Sequence, residues 1–203
     1  MAHRPDRTSS SGDQTYTEWL VASQQVWWKR VLKVQWPYQE KLRQQQLGRT
    51  LDVGCGIGRN LQVLPPGSVG TDTNPTSVEV ARRRGLVAVL PEDLADDEQF
   101  DALLLAHLLE HLPASAAEEL VRGYLRHLRP GGEVQIVCPQ QRGYASDPTH
   151  VHYFDAGELE ALCRRLGLEL VSSTSFPFPT WAGKLFIYNE FWVRARYAGS
   201  SPT

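Results

Sequence analysis

The chain has 203 residues, 41% of them hydrophobic, and a formal net charge of -2 at pH 7. This length can bury one sizeable core, the near-neutral charge gives no electrostatic footprint for nucleic acid, and no apolar run reaches transmembrane length. The three cysteines are an odd number without a pairing pattern, so we expect a cytoplasmic protein that needs neither nucleic acid nor a membrane as partner.

The N-terminal part is expected to be a tail followed by helices. Residues 1–14 are polar and serine-rich, lack the apolar core of a signal peptide, and are predicted to be a disordered tail. Apolar residues then recur at steps of three and four, which predicts two helices, 16–34 and 37–46, separated at Pro37. Four of the six tryptophans lie here. We expect residues 15–48 to pack on the core and to form a helical lid over a pocket.

A glycine-rich loop follows the first predicted strand. The strand at 49–53 leads into Gly54, Gly56 and Gly58, and a short helix is expected at 59–64. Glycine permits positive φ and close approach, so a loop of this kind suits a ligand that lies against the main chain. The spacing lacks the last glycine of the dinucleotide fingerprint G-x-G-x-x-G, which disfavours a nicotinamide-dependent enzyme.

The rest of the chain alternates between predicted strands and helices. Further strands are predicted at 67–72, 86–90, 100–105, 133–138, 168–175 and 184–197. Further helices are predicted at 75–84, 114–128 and 155–166. The order predicts an α/β, Rossmann-like, doubly wound and mostly parallel seven-stranded sheet over residues 49–198, with helices on both faces and a C-terminal antiparallel hairpin.

Polar groups fall at the predicted carboxyl ends of several strands. The glycine loop, Asp72, Asp93 and His107 each follow a strand directly or within a few residues. Open α/β sheets bind ligands outside the carboxyl ends of their strands, where strand order reverses. We therefore expect these groups to surround one binding site.

Four motifs together resemble the class I S-adenosylmethionine-dependent methyltransferases. They are Leu51-Asp-Val-Gly-Cys-Gly-Ile-Gly58, Val69-Gly-Thr-Asp72, the run from Phe100 to Leu112, and Leu128-Arg-Pro-Gly-Gly-Glu-Val134. The tail from Phe176 to Arg196 is similar to the closing hairpin of that family, with Asn189 inside the last strand. The Leu-Glu-His-Leu run and the segment Asp147 to Phe154 most resemble small-molecule enzymes of the ubiquinone-biosynthesis type.

The resemblance implies S-adenosylmethionine as the cofactor and a small-molecule acceptor. Asp72 would accept hydrogen bonds from both ribose hydroxyls, while Asp93 and Leu94 would reach the adenine amino group. Ala106 and His107 would flank the methionine part. The implied cofactor-binding residues are Asp52, Gly54, Cys55, Gly56, Asn60, Asp72, Thr73, Asn74, Asp93, Leu94, Ala106 and His107.

Methyl transfer from a sulfonium is an in-line displacement onto an O, N or C atom, and it needs a base only where the acceptor must lose a proton. His107 and His150 are the candidate catalytic residues, since histidine titrates near neutral pH. The candidate substrate-binding residues are Trp36, Tyr38, His150, His152 and Tyr153.

Other interpretations are open to the same residues. His107-Leu-Leu-Glu-His111 matches an inverted zinc-peptidase string, but no third ligand is identifiable. Asp147, His150 and His152 could in principle hold a metal, although we predict no metal site. A non-catalytic partner or sensor protein that binds S-adenosylmethionine would share the cofactor motifs. We expect a monomer or a homodimer.

Overall fold

The computed structural model describes residues 36–199. The predicted tail at 1–14 and the predicted helix at 16–34 lie outside this range. The strands are β1 (Thr50–Val53), β2 (Val69–Thr71), β3 (Ala88–Val89), β4 (Phe100–Ala106), β5 (Leu128–Pro139), β6 (Leu168–Phe176) and β7 (Glu190–Tyr197). The α-helices are α1 (Trp36–Gln44), α2 (Pro75–Arg83), α3 (Ala114–Tyr124), α4 (Gln141–Tyr144) and α5 (Ala156–Arg165).

All seven strands form one sheet in the order β3-β2-β1-β4-β5-β7-β6. The first five strands run parallel to their neighbours, and β7 pairs antiparallel with both β5 and β6. The chain leaves β1 in one direction and returns to the other side of it at β4, so strand order reverses between these two strands. The predicted fold, including its antiparallel end, is confirmed.

Alternate residues of the central strand β4 enter two different cores, as the period of a strand requires. Leu103 and Leu105 belong to the larger cluster, which contains residues of α3 and α5. Ala102 and Leu104 belong to a smaller cluster with Leu42 of α1. The sheet is therefore covered by helices on both faces.

Two helices begin at the residues that the sequence predicts. The side-chain oxygen of Asn74 accepts hydrogen bonds from the main-chain N–H groups of Thr76 and Ser77 at the start of α2. The side chain of Asp155 accepts one from Glu158 at the start of α5. Each cap satisfies N–H groups that have no partner within the helix.

The prediction of a helix at 59–64 is wrong, because residues 57–63 form successive turns. Val63 donates to the carbonyl of Asn60, a local bond of 2.9 Å. Only six residues separate Gly58 from Pro65, and so short a segment cannot repay the cost of nucleating a helix.

The last strand begins later than predicted. Residues 184–189 do not pair with a neighbouring strand, and β7 begins at Glu190. Leu185 and Phe186 donate instead to the carbonyl of Ala182, and Asn189 donates to Phe186. Asn189 therefore precedes the strand and does not lie inside it. These local turn bonds use the N–H groups that a sheet ladder would need.

Two smaller boundaries also differ from prediction. The α-helix predicted at 114–128 ends at Tyr124 and continues as one 3-10 turn, Leu125–His127. Residues 129–132, between the helix predicted to end at 128 and the strand predicted to begin at 133, lie within β5 as an irregularity of register, opposite the start of β4. Among the described residues, none of the helices is long and apolar enough to span a membrane.

Candidate active site

The glycine loop begins directly after β1 and is held to the end of β2. The N–H groups of Gly54 and Cys55 both donate to the carbonyl of Thr71, at 2.8 and 3.0 Å. Gly54 has φ +71, and a side chain there would meet Leu108 at 2.8 Å. Gly56 has φ +53 and open space where a side chain would lie. The loop thus leaves a cradle of main chain that a ligand can approach closely.

Asp72 fastens this loop to the start of α2. One carboxylate oxygen accepts from the N–H of Gly56 and the other from the N–H of Asn74, each at 2.8 Å. A carboxylate has about four acceptor positions. Two hydrogen bonds therefore orient the group and leave acceptor positions for hydroxyl groups of a ligand.

A cavity of about 310 Å³ lies on the glycine loop, at the carboxyl ends of β1, β2 and β4. Eight of the twelve predicted cofactor-binding residues line it: Gly54, Cys55, Gly56, Asn60, Asp72, Thr73, Ala106 and His107. The sequence thus predicts the location of the cavity and most of its floor.

Four predicted cofactor residues are placed differently. Asp93 is exposed on the 3-10 turn Pro91–Asp93, where Pro91 is the residue that lines the cavity. Leu94 is buried in the larger core. Asn74 is buried as the cap of α2, and Asp52 is buried beneath the loop within β1.

Asp52 and Asn60 are buried polar residues on either side of the glycine loop in the sequence. The two carboxylate oxygens of Asp52 and the side-chain oxygen of Asn60 accept no hydrogen bond from within residues 36–199. Burial raises the pKa of Asp52 to about 7, although Asn60 and Arg59 oppose this rise. Buried acceptors of this kind suit a cationic amino group such as that of a methionine moiety, so these residues fit S-adenosylmethionine.

Cys55 lies inside the loop as a buried thiol. Burial raises the pKa of this thiol, and the neighbouring carboxyls of Asp52 and Asp72 raise it further. A thiol that stays protonated is a poor nucleophile, so Cys55 contributes to the loop by packing.

His107 follows β4 and adopts φ +57. Its Nε2 is 2.9 Å from Glu190 and its Nδ1 is 3.4 Å from Glu110. Burial alone would lower the pKa of His107, but the charges and hydrogen bonds of the two glutamates outweigh burial and raise the pKa to about 9. The ring is therefore a cation at neutral pH, which argues against the expectation that it accepts a proton.

A second cavity, of about 360 Å³, adjoins the first, and Arg59 and His107 line both. Aromatic and proline side chains form much of its wall, and polar groups enter from the segment 140–154. Its lining residues are Pro37, Tyr38, Arg59, His107, Gly143, Ser146, Asp147, His150, Phe176, Pro177, Phe186, Ile187, Tyr188 and Glu190. The predictions for Tyr38 and His150 as cavity residues are therefore supported by their positions.

His150 is held in one orientation. Its Nδ1 is 2.7 Å from the carbonyl oxygen of Tyr144, and its ring stacks on that tyrosine with centroids 5.2 Å apart. A carbonyl oxygen can only accept, so Nδ1 carries a hydrogen atom. Nε2 then remains available to accept a proton or to bind a ligand.

The other predicted substrate residues do not line either cavity. Trp36 is 57% exposed at the start of α1. His152 is 3.3 Å from Glu158 of α5 and packs edge-on against Phe154. Tyr153 packs edge-on against Tyr144, at a centroid distance of 5.3 Å.

The string His107-Leu-Leu-Glu-His111 does not form the helix that a zinc peptidase would need. Only Leu109–His111 is helical, as a single 3-10 turn. His107 turns towards Glu190, whereas His111 turns towards the carbonyl of Thr149. The two imidazoles therefore do not lie on one face of an α-helix.

Comparison with protein families gives a match to a family described as "Methyltransferase domain" over residues 28–173. The chain belongs to this methyltransferase family. No curated protein matches the sequence.

Solved methyltransferases share the fold at low identity. A possible histamine N-methyltransferase from Thermotoga maritima is 20% identical, covers 90% of this chain and 97% of its own, and has a TM-score of 0.65. The N-methyltransferase NodS from Bradyrhizobium japonicum, bound to S-adenosyl-L-homocysteine, is 17% identical. The match covers 79% of this chain and 85% of NodS, with a TM-score of 0.60. Magnesium protoporphyrin IX methyltransferase from Synechocystis is 11% identical, and the match covers 81% of this chain and 85% of that enzyme, with a TM-score of 0.61.

Family and fold together confirm that the protein is a class I, S-adenosylmethionine-dependent methyltransferase. The closer likeness to enzymes of ubiquinone biosynthesis stays a prediction. Several site residues of this methyltransferase were missed from the sequence, notably Glu190 and Phe186. Glu190 is 83 residues from His107 in the chain, and no local pattern links them. Arg59 was not among the predicted site residues, yet it lines both cavities.

Proposed function

We propose that this methyltransferase transfers the methyl group of S-adenosylmethionine to a small-molecule acceptor. The observation that carries the proposal is the pair of adjoining cavities, one on the glycine loop and one beside His150, which meet at Arg59 and His107. Each has a volume within or near the usual range for small-molecule sites. A donor in the first and an acceptor in the second would face each other across this junction.

The cofactor would lie along the glycine loop. Its methionine part would contact the main chain at Gly54 and Gly56, and its amino group would be attracted by the buried carboxyl of Asp52. Asp72 would accept from the ribose hydroxyls, and Thr73 and Pro91 would border the adenine. Asp93 would take part only through a movement of its exposed side chain.

The acceptor would lie among apolar and aromatic side chains. Tyr38 and Phe176 contribute rings from opposite ends of the chain, and both pack against Trp192, at centroid distances of 5.4 and 5.9 Å. Such a wall excludes water and favours an acceptor with a flat or apolar body. The acceptor atom itself would be positioned by the few polar groups of the cavity.

The reaction requires alignment more than acid–base chemistry. When bound, S-adenosylmethionine would supply a methyl group for in-line displacement, so the residues of the two cavities would have to hold the acceptor atom in line with the carbon–sulfur bond, whose electron pair would stay on sulfur. Holding the two reactants in contact supplies much of the rate enhancement. His107 would be held as a cation between the carboxylates of Glu110 and Glu190, and its ring would line the junction of the two cavities.

Where the acceptor must lose a proton, His150 is the side chain we assign to receive it. Its Nδ1 is used by the carbonyl of Tyr144, so the free Nε2 is the basic atom. His150 lines the proposed acceptor cavity, within reach of a bound molecule. His107 is a weaker candidate because both of its nitrogens face carboxylates.

The proposal is tested with S-adenosylmethionine carrying a labelled methyl group and a small-molecule extract separated into fractions. We expect protein-dependent transfer of label into at least one fraction, and we expect added S-adenosylhomocysteine to suppress it. Transfer only to RNA, DNA or protein would contradict a small-molecule acceptor. Light scattering on the same sample decides between the two expected states, a monomer and a homodimer.

A further inference from the structure

Three side chains that commonly bind metals lie together between the two cavities. Glu110, His111 and His150 each offer one ligand atom within 4.8 Å of the other two. The two imidazole rings meet edge-on with centroids 4.9 Å apart. His111 lines the cavity on the glycine loop, and His150 lines the adjoining one. The cluster therefore lies where donor and acceptor would meet.

The hydrogen bonds of both rings leave one nitrogen free for a ligand. Nδ1 of His150 is 2.7 Å from the carbonyl oxygen of Tyr144, and Nδ1 of His111 is 3.3 Å from that of Thr149. Both Nδ1 atoms therefore donate, and both Nε2 atoms keep a lone pair. Imidazoles that bind metals are typically oriented in this way, by a main-chain carbonyl on the nitrogen away from the ion.

Glu110 supplies a buried charge to the same place. Its side chain is 1% exposed, and neither carboxylate oxygen accepts a hydrogen bond from the described part of the chain. Its nearest described cationic group is His107, 3.4 Å away, and that imidazole also pairs with Glu190. One imidazole cannot balance two carboxylates, so negative charge remains that a cation would neutralise.

We propose that Glu110, His111 and His150 form a binding site for a divalent transition-metal ion, with Zn²⁺ the ion best suited to the ligands. Two imidazoles and one carboxylate are a ligand set of zinc sites that keep an open position. Mg²⁺ prefers oxygen ligands alone. The sequence pattern suggested His107 and His111 as a ligand pair and offered no third ligand, whereas the structure groups His111 with Glu110 and with His150 from a separate segment.

The role of the ion rests on the proposed function. Because His150 lines the acceptor cavity, an ion on its Nε2 would lie next to the acceptor. A bound cation lowers the pKa of a hydroxyl that binds to it, so the site favours acceptors that present a hydroxyl oxygen. The ion and a proton exclude each other on Nε2, so His150 is a ligand in the metal-bound form and a base only without the ion.

Titration calorimetry on the full-length, chelator-treated protein tests the site. We expect one Zn²⁺ per chain, and Mg²⁺ to bind about a hundredfold more weakly or not at all. His111→Ala and His150→Ala should each weaken Zn²⁺ binding by at least about tenfold. His152→Ala is the matched control: its imidazole is two residues from His150 but pairs with Glu158, so Zn²⁺ binding should not change.

Two outcomes would overturn the proposal: no stoichiometric Zn²⁺ binding by the unaltered protein, or equal Zn²⁺ affinity in His150→Ala and His152→Ala. Titrating S-adenosylhomocysteine into the same samples separates this proposal from the methyl-transfer function. Normal binding of that compound without Zn²⁺ binding rejects the metal site alone, and the reverse result rejects the proposed cofactor site alone. Circular dichroism confirms that each variant is folded.

Discussion

At the scale of single residues, Asp52 combines complete burial with an abnormal proton affinity. Burial raises its pKa to about 7, whereas the unfolded chain has a value near 4. The folded protein therefore holds a proton that the unfolded chain releases between these two values. Its contribution to stability is fully present below about pH 4 and is lost as pH rises through about 7.

We predict that Asp52→Asn removes this dependence. In unfolding measurements with urea, the free energy of unfolding of the unaltered protein should fall, relative to the variant, by up to about 1.4 kcal/mol per pH unit between about pH 4 and 7. The variant should also bind S-adenosylmethionine more weakly, because it cannot become an anion opposite the amino group. If the free energy of unfolding changes with pH in the same way in both proteins, the pKa of Asp52 is not raised.

Some site residues could be predicted singly and others could not. Asp72 follows a strand and precedes a helix cap, so its position at the sheet edge was readable from local order. His107 was also placed correctly, but its charge was not, because Glu190 comes from β7. The pKa of a side chain depends on partners that only the tertiary fold brings together.

At the scale of elements, the cap of α2 fixes the wall of the cofactor cavity. Asn74 accepts from two N–H groups of the first turn, and its own N–H donates to Asp72. Asn74→Ala should lower the free energy of unfolding by about 1 kcal/mol, whereas Asn74→Asp should retain most of it, since aspartate caps equally well. Thermal unfolding of both variants tests this prediction. An equal loss of stability in the two variants would contradict a capping role for Asn74.

A buried amide network shapes the segment between β6 and β7. The side-chain oxygen of Asn189 accepts a hydrogen bond from the main-chain N–H of Phe178. Its side-chain amino group donates to the side-chain oxygens of Gln140 and Ser175 and to the carbonyl of Pro179. The side chains of Asn189 and Gln140 are inaccessible to solvent. The network holds the chain that carries Phe186 and Tyr188 into the acceptor cavity.

We expect Asn189→Ala to lower the free energy of unfolding by about 2–3 kcal/mol, because it leaves the buried side-chain oxygen of Gln140 and the partly buried N–H of Phe178 without these partners. Gln141→Ala is a suitable control, since Gln141 adjoins Gln140 but is exposed, and it should change stability little. Urea unfolding compares the two. A loss no greater than that of the control would show that the network does not hold the segment.

Elements with strong local signals were predicted well, and those decided by context were not. The continuous apolar run of β4 and the capped helices agree with the structure. The strand predicted at 184–197 is wrong in its first six residues although aromatic residues favour strands, because Leu185 and Phe186 donate in turns to the carbonyl of Ala182. Propensity sets a preference, and the local hydrogen bonds that the fold allows decide the outcome.

At the scale of the whole molecule, the reversal of strand order between β1 and β4 creates one crevice. The glycine loop and His107 lie at this edge, and α1 brings Tyr38 to the adjoining cavity. Because topology alone locates such a crevice, the site could be found from the alternation of strands and helices. The acceptor wall could not, since it is assembled from loops.

The aromatic N-terminal sequence is still predicted to contribute a lid. Removing residues 1–35 should leave a folded protein, with a melting temperature lowered by less than about 4 °C, while S-adenosylhomocysteine binding or methyl transfer falls by at least about tenfold. Calorimetric scans and titrations on the same preparation give both values. Unchanged binding and turnover in a folded truncated protein would refute the lid.

The central claim is that the glycine loop and Asp72 hold S-adenosylmethionine. Titration calorimetry of the full-length protein with S-adenosylmethionine, S-adenosylhomocysteine and NAD⁺ tests it most directly. We predict one site per chain for both sulfur compounds, no binding of NAD⁺, and affinity reduced by at least about tenfold in Asp72→Asn, which loses a charge-assisted acceptor. Failure of both sulfur compounds to bind, or equal affinity in Asp72→Asn, would contradict this account.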